Sequence, residues 1–106
     1  MMIEKIEIFK KCIDEHRYYD AHEALEEVWF PRRFEKEDEI QLLKGFINAA
    51  VSFELHKRER FVQGKKVWAN YLKYRPLLSK VVLYKKEFHS LSRYIEGVHL
   101  KKYHCA

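Results

Sequence analysis

The stretch DEIQLLKGFINAAVSFELHK, residues 38–57, is where the fold is decided. Ile40, Leu42, Leu43, Phe46, Ile47, Ala49, Ala50, Val51, Phe53 and Leu55 cover most of a helical circumference, the pattern of a helix with neighbours on several sides. Asp38 is a suitable cap, and the basic run Lys57, Arg58 and Arg60 suits a helix C-terminus, so the pattern predicts a central helix from Asp38 to about His56. At about 100° per residue, Gln41, Lys44, Gly45, Asn48, Ser52 and His56 fall on one stripe about 120° wide. Almost everything polar on this helix is on that stripe.

Four further helices are expected around it. Ile3, Ile6, Phe9, Cys12 and Ile13 recur at helical spacing and predict a first helix over Ile3 to Glu15. Asp20 with Glu23 three residues on forms a capping box, worth roughly 1 kcal/mol, which places the start of a second helix there. Pro31 ends it near Trp29 or Phe30. A fourth helix runs from about Phe61 to Leu72 or beyond, is interrupted by Pro76, and is followed by a fifth from about Leu83 to Tyr103. With only 3 glycines and 2 prolines among 106 residues, the punctuation of an all-β chain is missing. The expected architecture is all-α: a compact bundle of about five helices in one domain spanning 1–106, its third helix central, with no internal repeat.

The opening MMIEKIEIFKKC has charges throughout and no long apolar run, so neither a signal peptide nor a membrane span is expected, and the cytoplasm is the expected compartment. Cys12 and Cys105 lack the paired spacing of a zinc or redox motif and read as reduced thiols. His104-Cys105 reads as a frayed tail before it reads as a metal trap. The formal net charge is +5, but residues 1–54 carry 8 Lys and Arg against 13 Asp and Glu, whereas residues 55–106 carry 13 against 3. Such polarity steers an acidic partner or favours self-association, and with the 15% aromatic content it makes a homodimer one expectation.

Chemistry concentrates on the second helix. In DAHEALEEVW, Asp20 to Trp29, His22, Glu26 and Trp29 share one side at i, i+4 and i+7, at the edge of the apolar stripe Ala21, Leu25 and Val28. Glu23 and Glu27 point more to solvent. If the second helix faces the polar stripe of the third, His22, Glu23, Glu26, Trp29, Gln41, Lys44, Asn48 and His56 form a pocket or a polar network. A metallopeptidase would need a second His at position 26, so that specific pattern is absent. His22, Glu26 and His56 nevertheless have ligand types that suit a divalent ion such as zinc, iron or manganese. Ser52 is the only evident nucleophile.

Three readings follow. The leading one is a binding or interaction module whose inter-helix pocket takes a small or acidic ligand, or whose polar network only sets helix register. The second is a metal-assisted hydrolase using the same residues. The third is nucleic-acid binding by the basic second half, where Lys and Arg alternate with Tyr71, Tyr74, Tyr84, Tyr94 and Tyr103; no helix-turn-helix, finger or ribonucleoprotein motif accompanies them.

YYDAHEALEEVW (Tyr18 to Trp29), followed about a dozen residues later by LLKGFINAAVSFELHK (Leu42 to Lys57), resembles the small bacterial and archaeal helical proteins catalogued as domain of unknown function family 309. The resemblance implies a compact helical fold with His22, Glu23, Glu26, Trp29, Gly45 and His56 at signature positions. Where family members often have Gln-Gly and Ile-Gln, this sequence has Lys44-Gly45 and Ile47-Asn48. A cation at position 44 disfavours a nearby metal ion and suits an anionic ligand.

Overall fold

Ile6, Phe9, Cys12 and Ile13 bury one side of α1, Met2–Asp14, in a computed structural model that describes residues 1–103. The chain continues through α2 (Tyr18–Trp29), a 3-10 turn over Phe30–Arg32, α3 (Asp38–Lys57), α4 (Phe61–Tyr74), a second 3-10 turn over Arg75–Ser79, and α5 (Lys85–Val98). A π-helical turn, His99–Tyr103, follows, and no strand occurs among the described residues. His104 and Cys105 lie outside the described residues. No helix among those described is long and apolar enough to cross a membrane.

α3 is central, as its all-round apolar pattern requires. It packs against α2 on one side, α4 on another and α5 over the remainder, with Leu43, Phe46, Ala49, Ala50 and Phe53 inaccessible to solvent. Phe46 stacks on Phe88 of α5 with ring centroids 5.9 Å apart, while Phe53 stacks on Trp68 of α4 at 5.8 Å. One hydrophobic cluster draws on α1 through α5. The radius of gyration, 12.7 Å, is close to the ~13 Å of a compact chain of this length.

Two connections share one geometry. After α1, the His16 N–H bonds the Ile13 carbonyl at 3.0 Å and the Arg17 N–H bonds the Cys12 carbonyl at 2.8 Å; after α3, Glu59 and Arg60 repeat this with His56 and Leu55 at 2.9 and 2.8 Å. Both are Schellman closures, which need a left-handed residue after the helix. His16 and Glu59 supply it with φ of 59° and 61°, although neither is glycine. Arg17 and Arg60 then start α2 and α4 with the same backbone angles, φ −97° and ψ 69°. The Lys57 ammonium donates to the His16 carbonyl at 3.0 Å and ties the two turns together. The chain is thus two helical hairpins, α1–α2 and α3–α4, with α5 laid across them.

Several expected boundaries move. α2 begins at Tyr18, two residues before the expected Asp20 cap, and the capping box does not form: no side chain caps this helix, and Asp20 instead accepts from the Arg17 guanidinium at 3.1 Å. The tight turn at His16 leaves no residues for a later start, and it places Tyr18 in the core, 1% exposed. His22 therefore lies in the second turn, away from the helix dipole's positive end. Glu37, in extended conformation, precedes α3 in place of Asp38. The fifth helix starts at Lys85, and its expected C-terminal part is the π-helical turn.

Candidate functional site

His22 and Glu26 meet as their i, i+4 spacing requires: His22 Nε2 is 2.8 Å from Glu26 Oε2, with the side chains 22% and 40% exposed. A helical i, i+4 contact this open contributes only tenths of a kcal/mol. The other imidazole nitrogen, Nδ1, is buried with no hydrogen-bond partner. Glu23 is exposed, on the solvent side of α2.

The polar stripe of α3 divides. Its lower part turns to α4, not to α2. Asn48 donates to the Lys44 carbonyl at 2.8 Å and accepts from Asn70 of α4 at 3.3 Å. Ser52 Oγ donates to the Gly64 carbonyl at 2.7 Å. His56, 4% exposed, places Nδ1 2.9 Å from the Ser52 carbonyl, to which it donates, and its buried Nε2 has no hydrogen-bond partner among the described residues. A Cβ on Gly64 would sit 2.4 Å from His56 Nδ1 and 2.5 Å from Cε1, so α4 reaches the stripe only because residue 64 has no side chain. Gly45 plays the same part under Tyr74, whose Cβ would be 2.9 Å from an added methyl.

His56 is thereby drawn away from α2. Among the described residues no three His, Cys, Asp or Glu side chains converge as a metal site requires, so His22 and Glu26 stand together without His56.

The upper part of the stripe does face α2. Lys44 Nζ lies 5.8 Å from the Trp29 ring centroid and 5.9 Å from that of Tyr74, spanning two cation–π contacts. A depression of about 500 Å³ opens here, lined by Trp29, Arg33, Phe34, Lys36, Gln41 and Lys44 among others. Gln41 is held on its rim by donating to the Lys36 carbonyl at 2.8 Å. Arg33 stacks over Phe30 at 3.8 Å and Phe34 at 4.6 Å and donates to the Phe30 carbonyl at 2.6 Å. Glu35, the carboxylate in this lining, is taken by Arg32 at 2.8 Å. Arg33, Lys36 and Lys44 have no carboxylate partner among the described residues.

A family model described as Domain of unknown function (DUF309) matches residues 6–67. The chain belongs to this family. No curated protein and no solved structure matches it. The DUF309 match runs from α1 into α4, so it takes in Trp29, Lys44 and the His56–Gly64 crossing, and it stops short of α5. The family assigns no activity.

Sequence periodicity overlooked Arg33, Phe34, Gly64 and Asn70, and read Tyr74 only as one of the tyrosines of the basic half. A usable signal was present for one of them: Gly64 is the single glycine of an α4 otherwise rich in large side chains.

Outside this region, Tyr71, Ser92 and Arg75 all donate to one oxygen of Glu96, at 2.7, 2.9 and 2.5 Å. Burial pushes the Glu96 carboxyl up, and the hydrogen bonds from Arg75, Tyr71 and Ser92 outweigh it and hold it below the usual carboxylate range. Burial also pushes the Cys12 thiol up despite the opposing charge of Arg17, which makes it a core residue and a poor nucleophile.

Proposed function

We propose that this chain is a binding module for a small anionic ligand with a planar or apolar body, taken up between Trp29 and Lys44. The observation that carries the reading is the Lys44 ammonium held between two aromatic rings beside Arg33, neither cation having a carboxylate partner among the described residues. A cation so placed is available to an incoming anion, while the rings of Trp29, Phe34 and Tyr74 offer stacking area. The depression's volume falls within the roughly 300–1,000 Å³ of small-molecule sites. The other expected members take different parts: Gln41 on the rim, Asn48 and His56 in the α3–α4 crossing, and His22 with Glu26 further along α2. The metal-assisted reading keeps only His22 and Glu26 as an adjacent pair; elemental analysis of purified protein, with His22→Ala and Glu26→Ala as controls, tests it.

Calorimetric titration with phenyl phosphate tests the binding reading. Lys44→Gln should weaken binding about tenfold, the loss of one charge-assisted contact. Phenol, lacking the anion, should bind no better to the native chain than to the variant. Equal affinity of both proteins for phenyl phosphate would contradict the reading.

A further inference from the structure

The other end of the α2–α3 crevice holds a separate groove of about 210 Å³, and none of its lining residues belongs to the Trp29–Lys44 depression. Its walls are Tyr18 and Tyr19 from α2 and Val51 and Leu55 from α3. Four polar side chains complete it: His22, Glu54, Arg58 and Arg60. Their charges do not cancel. Glu54 is taken by Arg58 at 2.6 Å, and His22 is engaged by Glu26 at 2.8 Å. Arg60 has no carboxylate partner among the described residues.

The position of Arg60 is set by the fold. Its backbone N–H is bonded to the Leu55 carbonyl at 2.8 Å in the Schellman turn, so the residue stands at the lip of the groove beside one of its apolar walls. Tyr19 reinforces the other lip, its ring 5.6 Å from that of His22. A slot with apolar walls, an imidazole in its side and one unmatched guanidinium at its mouth is complementary to a molecule that is apolar along its length and carries a carboxylate at one end. The volume lies below the roughly 300–1,000 Å³ of ordinary ligand pockets, which restricts the body to a short chain or a single ring.

We propose that this groove is a second ligand site, for short aliphatic or aryl carboxylates, with Arg60 as the carboxylate anchor and Val51 and Leu55 as the apolar wall. It stands independently of the Trp29–Lys44 reading, because the two sites share no residue and binding at each is read at its own residues.

The test is nuclear magnetic resonance titration of isotopically labelled full-length chain with hexanoate, and with hexanol as its uncharged counterpart. Saturable shifts confined to the groove, at Tyr19, His22, Val51, Leu55 and Arg60, are expected, together with affinity about tenfold lower for hexanol and for hexanoate with the Arg60→Gln variant. Arg60 is exposed and caps α4 through its backbone alone, so Arg60→Gln keeps the fold. Lys44→Gln should leave hexanoate binding unchanged. Absence of saturable shifts in the folded native chain, or equal binding of hexanol and hexanoate, or indifference to Arg60→Gln, would overturn the proposal.

Discussion

Gly64 shows how one missing side chain directs the rest. An added methyl would overlap a buried imidazole pinned by its bond to Ser52, an overpacking that costs about 1–3 kcal/mol. Alanine recovers only roughly 1 kcal/mol of helix propensity over glycine. Gly64→Ala should therefore lower stability by up to about 2 kcal/mol in urea unfolding, and the same change made in a His56→Ala background should be neutral or stabilising. A destabilisation of equal size in both backgrounds would mean that His56 is not what the methyl meets. The crossing also explains why the stripe on α3 could be read in the sequence while its partner could not. Periodicity places Asn48, Ser52 and His56 on one face, but which helix covers that face depends on a glycine located on another element.

At the scale of the element, the helices themselves were legible and their entrances were not. The apolar pattern of α3 announced both its length and its central place, and Ile6, Phe9 and Ile13 did the same for the buried side of α1. Asp20 and Glu23 carried the chemistry of a helix start, yet α2 was already under way because the α1 turn closes at His16. A left-handed residue that is not glycine leaves no mark in a sequence, and both Schellman turns use one. That choice has a measurable cost at Glu59, whose side chain has no partner among the described residues. Glu59→Gly should raise stability by up to about 1 kcal/mol, the relief of left-handed strain less the greater freedom of glycine in the unfolded chain. Thermal unfolding should shift upward by a few degrees, on the order of 4–8 °C per kcal/mol. A lower midpoint would show that Glu59 makes a contribution its geometry does not reveal. His16 offers less to gain, because its ring packs near Tyr18 and its Nε2 lies 2.8 Å from Lys102 Nζ.

For the whole molecule, the polar ties between helices decide how the fold responds to acid. Glu96 joins α5 to α4 through Tyr71 and to the turn beyond α4 through Arg75, and its folded carboxyl titrates below the unfolded value. The sign follows from proton uptake: the unfolded chain binds the proton at higher pH, so the contribution is full above the unfolded value of about 4.3 and is lost as pH falls through the folded one. Glu96→Gln should be less stable than the native chain at neutral pH, with the gap closing as pH drops below about 4. A gap that stays constant into acid would remove Glu96 from the account of acid unfolding. Although residues 1–54 are acidic overall, three cations of that segment, Arg33, Lys36 and Lys44, have no carboxylate partner among the described residues and gather around the aromatic rings at one end of the α2–α3 crevice. The most direct measurement of what that end does is the site of shift perturbation when labelled protein is titrated with phenyl phosphate. The account predicts that the Trp29 indole N–H and the Lys44 and Gln41 backbone signals move together and saturate, while those of α5 stay still; shifts spread over the basic surface of α5, or none at Trp29, would contradict it.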